Sequence, residues 1–285
     1  MTGSFVPRSL TRFLDDLPTV TIVDVGASLN AGRLDYQSLI DSGKTRVIGF
    51  DGNADAAAES AEHLGGNAQI FPYLIGDGQP ATFYETKSLL TSSLYRPDAA
   101  FLEMFTSLPG PMRVKQETPV ETVRLDDIEE IDTADALFLD VQGAELDVIR
   151  NAERIMKDVL IVHTEVEFAP LYENQPLFSD VDPVIRGHGL MFHQFYWLSG
   201  RPFAPIVVGG DENLNLKHQM WADAVYMADP RRYDDLANDQ LLKLALIMND
   251  LYDSIDVAFI ALQAFDRRNG TRHAPDYMAF LASPD

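Results

Sequence analysis

Val20-Thr21-Ile22-Val23-Asp24-Val25 is a short β-branched run that breaks into Gly26-Ala27-Ser28-Leu29-Asn30-Ala31-Gly32. A run of this kind, bounded by glycines, reads as a buried strand followed by a tight turn with an open backbone. A second run, Arg46-Val47-Ile48-Gly49-Phe50, ends in Asp51, 25 residues after Gly26. A glycine turn after one strand and an acid at the tip of the next make a nucleoside site. The turn lets a ligand approach the backbone, and the carboxylate accepts hydrogen bonds from ribose hydroxyls. An ordinary strand-to-helix turn would look the same at this level.

The dinucleotide fingerprint G-x-G-x-x-G is not met, because Ser28 and Ala31 stand where its second and third glycines would be. An adenosyl ligand without a pyrophosphate, such as S-adenosylmethionine, fits the pattern better. The residues expected to hold it are Asp24, Gly26, Ala27, Asn30 and Gly32 around the turn, and Asp51, Gly52 and Asn53 after the second run. Gly76 and Asp77, after a third run at Ile70–Ile75, and Asp140 and Gln142, after a fourth at Ala136–Val141, complete the set.

Strand-like and helix-like segments alternate along the chain. Ala54–Leu64 is alanine-rich and reads as a surface helix, while Thr82–Glu85 and Glu121–Leu125 alternate as half-buried strands do. Lys87–Lys115 is irregular, and a long loop inside a compact domain is commonly a lid or a binding segment. Leu146–Ile155 and Ser179–Gly187 read as helices, and Val159–Phe168, Met191–Trp197 and Ala222–Met227 as strands. Such alternation implies a parallel sheet with helices on both faces, and the link between the last two strands permits an antiparallel final strand. From Asp234 the apolar residues step by three and four, from Leu241 to Phe265. Leu242, Leu246 and Ile260 widen that stripe beyond a coiled-coil seam, so these helices are expected to bury it against the main domain or a sister subunit. The expected division is a tail over residues 1–20, a main domain over 21–228 and a helical appendage over 229–285.

With 44 acids against 22 bases the net charge is −22, which argues against nucleic acid or an anionic membrane as partner. There is no cysteine, so disulfides, thiolate metal sites and a cysteine nucleophile are excluded. No signal peptide and no membrane-length apolar run is visible, and a cytoplasmic protein is expected.

Several of these segments resemble the FkbM family of S-adenosylmethionine-dependent methyltransferases. They are Val23-Asp24-Val25-Gly26-Ala27-Ser28 with Gly32, Leu125-Asp126-Asp127-Ile128, and Leu139-Asp140-Val141-Gln142-Gly143-Ala144-Glu145-Leu146. Thr164-Glu165-Val166-Glu167-Phe168 with Pro170-Leu171-Tyr172 is similar to the family's next block. The resemblance implies a Rossmann-like seven-stranded methyltransferase sheet with, here, a C-terminal helical extension. It also implies methyl transfer to a hydroxyl of a sugar or natural-product acceptor. Gly52 follows Asp51 where the family commonly has glutamate then proline, and Gln142 replaces a common glutamate.

A hydroxyl acceptor must lose its proton, which calls for a general base or a metal. By strand-end position the candidates for the base are Asp140, Glu165 and Glu167. No metal ligands are assigned. Oxygen and histidine are the only donors such a site could use, which would make it magnesium- or manganese-like. His163, Glu165 and Glu167 share one strand face by the period of two, and a solvated strand end would produce the same spacing. Glu145 is equally explained by the positive end of its own helix. The expected partner is a small-molecule or glycan acceptor, with a homodimer through the terminal helices left open. Two rival readings remain, a nicotinamide-dependent oxidoreductase and a catalytically silent assembly module.

Overall fold

The computed structural model describes residues 7–27 and 34–283. Asn30 and Gly32 of the expected cofactor turn lie outside the described residues. Nine strands are described: β1 (Val20–Val25), β2 (Thr45–Phe50), β3 (Ala68–Phe71), β4 (Pro80–Thr86), β5 (Val114–Glu121), β6 (Ala136–Leu139), β7 (Ile161–Glu167), β8 (Leu190–Ser199) and β9 (Trp221–Ala228). The helices are α1 (Gln37–Asp41), α2 (Ala54–Leu64), α3 (Ala99–Leu102), α4 (Glu145–Arg150), α5 (Phe178–Gly187), α6 (Asn238–Asp250), α7 (Ile255–Asn269) and α8 (His273–Ala282).

Seven strands form one sheet in the order β3-β2-β1-β6-β7-β9-β8. Pairing is parallel from β3 through to β7, while β9 runs antiparallel between β7 and β8. The chain order turns back on itself beside β1, and in such sheets ligands bind at that switch point, beyond the carboxyl ends of the strands. β4 and β5 pair with each other as a separate antiparallel ribbon.

All six residues of β1 are buried, because both faces of the sheet are covered. Val23, Val25, Leu137, Leu139, Val162 and Val166 pack with Leu146, Ile149, Val181 and Ile185 of α4 and α5 on one face. Val20, Ile22, Ala136, Phe138, Ile161 and Val225 pack with α6, α7 and α8 on the other. The apolar stripe that begins at Leu241 is therefore spent inside this chain, and Leu241, Leu244, Met248, Ala258 and Leu262 are fully enclosed. The core crosses residues 20 and 228 without interruption, since Leu10, Leu17, Leu244 and Tyr277 belong to the same cluster as Val20 and Ile22.

Polar pins fix the helical layer to the sheet. Asp250 accepts from the Leu10 N–H at 2.8 Å, and buried Asn249 accepts from the Tyr277 hydroxyl at 2.5 Å. Asp135, at the start of β6, accepts from the Thr21 N–H at 2.7 Å and from Lys243 of α6 at 2.9 Å.

Three sequence expectations shift. The third strand stops at Phe71, because Pro72 has no N–H to continue a ladder. The ribbon strand expected at 121–125 lies earlier, at Val114–Glu121, and Val123 instead makes an isolated bridge to Ile75. The helix expected over 146–155 ends at Arg150. Asp126 captures the N–H groups of Arg154 and Ile155, and the Arg154 side chain donates to the carbonyls of Asp126, Ile128 and Ile131.

Leu244→Ala should lower unfolding free energy by about 2–5 kcal/mol, the usual cost of emptying a closed apolar site. Urea denaturation followed by circular dichroism measures it. A loss no larger than a surface substitution gives would show that α6 is not part of the cooperative core.

Candidate functional site

At the carboxyl ends of β1, β6 and β7 and the amino end of the antiparallel β9 the chain forms a crevice lined by Asp24, Leu34, Tyr36, Asp140, Glu165 and Asp223, among others. It encloses about 140 Å³, room for a few waters or the reactive end of a ligand but not for a whole nucleoside. Strand register explains the clustering. Glu165 of β7 pairs directly with Asp223 of β9, and Phe138 of β6 pairs with His163 of β7. His163, Glu165 and Asp223 thus project from one face, the face that α6 and α7 cover.

The β1 turn is pressed against the β6 turn. The Gly26 and Ala27 N–H groups both donate to the Phe50 carbonyl, and the Asp140 N–H donates to the Val25 carbonyl. Gly26 has φ +97°, and a Cβ there would lie 2.1 Å from the Asp140 carbonyl oxygen. Only glycine supplies both that backbone conformation and that clearance. Beneath the turn, buried Asp24 accepts from the Tyr36 hydroxyl at 2.5 Å. Burial pushes the Asp24 carboxyl up to about 7, against the opposing hydrogen bond from Tyr36.

Asp51 follows β2. Its Oδ1 accepts from the Asn53 N–H at 2.7 Å, and among the described residues its Oδ2 has no hydrogen-bond partner. Desolvation raises its pKa. Asn53 is occupied elsewhere, since its side-chain oxygen caps α2 by accepting from the N–H groups of Asp55 and Ala56. Gly52 fits beneath Leu74, where a Cβ would come within 2.4 Å of a leucine methyl. The Gly76 N–H donates to the Val123 carbonyl, and exposed Asp77 closes its own turn by accepting from the Gln79 N–H at 2.9 Å. Gly76 and Asp77 therefore hold the turn beyond β3, and neither lines the crevice.

Gln142 is the centre of the other half. It sits at φ 56°, unusual for a residue with a side chain. Its amide nitrogen donates to Asp140 at 2.7 Å and to Glu165 at 2.8 Å, while its amide oxygen accepts from the Tyr172 hydroxyl at 3.1 Å. One neutral side chain thus holds two carboxylates side by side. Burial, then the charges of Asp140 and Glu167, push Glu165 well above the usual carboxylate range. Asp140 stands at the open mouth and is also raised, by loss of solvation first and then by Asp223 and Asp35. Glu167, expected beside them, is only 2% exposed and does not line the crevice. Glu145 is buried as well and braces the turn, accepting from the N–H groups of Val141 at 3.0 Å and Gly143 at 3.2 Å.

The segment over 87–115 is tied down next to this turn. Ser93 donates to the Gln142 carbonyl at 2.7 Å, Tyr95 donates to Asp147 at 2.9 Å, and Leu102, Phe105 and Met112 pack with Leu171 and Tyr172. It is fixed beside the Gln142 turn and contributes none of the residues that line the crevice among those described. Sequence reasoning missed Asp35, Tyr36 and Asp223. The alternation Trp221-Ala222-Asp223-Ala224-Val225 carried a signal for Asp223, since an acid at an inward-facing strand position is costly. Asp35 carried none.

A sheet of this order, with a glycine turn after its first strand and an acid after its second, defines a nucleoside-cofactor α/β enzyme fold. The chain belongs to the methyltransferase FkbM domain family, whose model matches residues 24–190. It is 26% identical over 192 residues to the 2-O-methyltransferase NoeI of Sinorhizobium fredii, covering 62% of this chain and 75% of that protein. Among solved structures it is similar to a SAM-dependent methyltransferase from Aquifex aeolicus (TM-score 0.30, 11% identity, 76% of this chain and 86% of that one). It is likewise similar to CalO1, a methyltransferase in calicheamicin biosynthesis, in its SAH-bound form (TM-score 0.32, 11% identity, 77% and 52%). Among the described residues no helix is long and apolar enough to cross a membrane.

Burial pushes Glu145 up to about 7 from an ordinary 4.5. Between those values the folded protein keeps a proton that the unfolded chain has lost, so stability is highest below the window and falls as pH rises through it. Glu145→Gln keeps the amide acceptor without the charge. Its unfolding free energy should fall less steeply from pH 5 to pH 8, by about 2 kcal/mol, as read from urea midpoints across that range. Parallel curves for the two proteins would refute the assignment.

Proposed function

We propose that the protein transfers a methyl group from S-adenosylmethionine to a hydroxyl oxygen of a small-molecule or glycan acceptor. The observation that carries this reading is the Asp140–Gln142–Glu165 arrangement at the crevice. It places two carboxylates of raised proton affinity where an acceptor can enter, and raised proton affinity is what a general base needs near neutral pH. The relative NoeI acts on oxygen by its name, which supports a hydroxyl acceptor here.

The residues suit this cofactor on chemical grounds. Among the described residues, Asp24, Asp35, Asp140, Glu165 and Asp223 line the crevice and no lysine or arginine does. Such a lining favours a sulfonium and an ammonium and opposes a pyrophosphate. The Gly26 and Ala27 N–H groups are already consumed by Phe50, so they have none to offer phosphate oxygens. Both points weigh against the nicotinamide reading. The cofactor, when bound, supplies an electrophilic methyl carbon on its sulfonium. Asp51, whose Oδ2 has no hydrogen-bond partner among the described residues, would hold the ribose hydroxyls, and Asp24, Gly26 and Ala27 would bound the amino-acid portion. Glu165 takes the proton as the acceptor oxygen attacks, and Asp140 orients that hydroxyl. Gln142 keeps both carboxylates in place and has no proton to exchange, so it acts by position. A silent assembly module has less support, because the apolar stripe expected to drive assembly is enclosed. Met278 is the only large hydrophobic exposed among the described residues of α6 to α8.

Calorimetric titration with S-adenosylmethionine and with NAD, followed by transfer of labelled methyl to a panel of hydroxylated sugars, tests the reading. Asp51→Ala should cost about 2–4 kcal/mol in cofactor binding, the loss of one to two bonds to a charged group. Glu165→Gln and Asp140→Asn should lower kcat by about 10²–10⁴, the usual range for general base catalysis, while cofactor affinity changes little. Near wild-type turnover in both variants would remove these two residues from the chemistry. Binding of NAD and not of S-adenosylmethionine would remove the reaction itself.

A further inference from the structure

Asp35, His163 and Asp223 each present a ligand atom to one small volume, with those atoms all within 4.8 Å of one another. They come from three parts of the chain: the residues ahead of α1, the middle of β7, and β9. His163 is only 4% exposed, and its Nε2 is buried without a hydrogen-bond partner. The nearest acidic atom, Asp223 Oδ2, lies 3.9 Å away, beyond hydrogen-bond reach. A buried ring nitrogen left unpaired is costly, and this one points at two carboxylates.

The other ring nitrogen, Nδ1, is 3.1 Å from the Tyr252 hydroxyl. With Nδ1 donating to that oxygen, Nε2 carries a lone pair toward Asp35 and Asp223. An outer hydrogen bond that fixes the ring and its tautomer is the usual support of a metal-binding histidine. Tyr252 sits between α6 and α7, so the helical layer supplies this support. Charge points the same way. Glu165 and Asp223 are directly opposed on neighbouring strands, where like charges destabilise pairing unless a cation lies between them or a proton is taken up. Ligand atoms sharing one ion with bonds of about 2.0–2.3 Å stand about 3–4.6 Å apart, and the 3.9 Å between His163 Nε2 and Asp223 Oδ2 falls inside that range.

We propose that Asp35, His163 and Asp223 form a divalent cation site of manganese type on the floor of the crevice. One imidazole with two carboxylates lies between the all-oxygen sets suited to magnesium or calcium and the nitrogen- or sulfur-rich sets suited to zinc. Three protein ligands leave positions open toward Glu165 and Asp140, where the acceptor hydroxyl is placed by the methyl-transfer reading. The ion's role in lowering that hydroxyl's pKa rests on that reading; its binding does not.

The test uses the whole chain without cofactor or acceptor. Manganese(II) is titrated into the protein after chelator treatment, and the free ion is followed by electron paramagnetic resonance. One saturable equivalent is expected. Asp35→Asn, an exposed position, should weaken binding at least tenfold with an unchanged circular dichroism spectrum, and Tyr252→Phe should weaken it about tenfold through the ring's orientation. Absence of saturable binding, or undiminished affinity in Asp35→Asn and Asp223→Asn, overturns the site. A parallel titration with S-adenosylmethionine separates the two readings. Failure of cofactor binding with manganese binding intact refutes the methyl-transfer reading and leaves the cation site standing.

Discussion

The close approach of Gly26 to the Asp140 carbonyl joins the two halves of the crevice. β1 and β6 are hydrogen-bonded neighbours, and the turns that leave them must either separate or touch. Here they touch, and the contact has no room for a single methyl group. As a result the glycine turn, Asp24 and Asp51 are held in fixed relation to Asp140, Gln142 and Glu165. Effective positioning of two reactants depends on displacements well under an ångström. A side chain at position 26 would act on both halves at once.

Most of the sheet was legible because its strands are buried on both faces. Val20–Val25 and Ala136–Leu139 read as near-continuous apolar or β-branched runs for that reason. Boundaries were less legible where a single residue decided them, as with Pro72 after β3 or Asp126 beyond α4. The site was legible in its acids and less so in its connections. Asp24, Asp140 and Glu165 announce themselves at strand ends. Gln142 does not, since an amide is informative only once its two carboxylates are known to stand on either side. Glu167 obeyed the same period of two as Glu165, but one further step along β7 carried it out of the crevice. Asp35 becomes a neighbour of His163 only through the fold.

The helices α6 to α8 were readable as helices and not as part of the site. Their stripe is too wide for a seam between two helices, and the sheet provides the broad apolar face it requires. Once α6 is anchored by Lys243 to Asp135 and by Asp250 to Leu10, the junction with α7 lies above β7, and Tyr252 reaches His163. A layer whose main contribution is burial thus also sets the orientation of one ring in the crevice.

The direction of β9 has a consequence for how the molecule can diversify. Because β9 is antiparallel, the connection from β8 leaves and returns at the crevice end of the sheet. It meets the segment over 87–115 there, with Phe203 stacked on Phe105 at 4.7 Å and the Ala204 N–H donating to the Met104 carbonyl. Ile206, Val207, Val208 and Leu216 stand exposed along it. Two excursions from the sheet therefore form a joint rim that holds none of the residues assigned to the cofactor or to the proton. That rim can therefore change in length and polarity without disturbing the strands or the acids they carry.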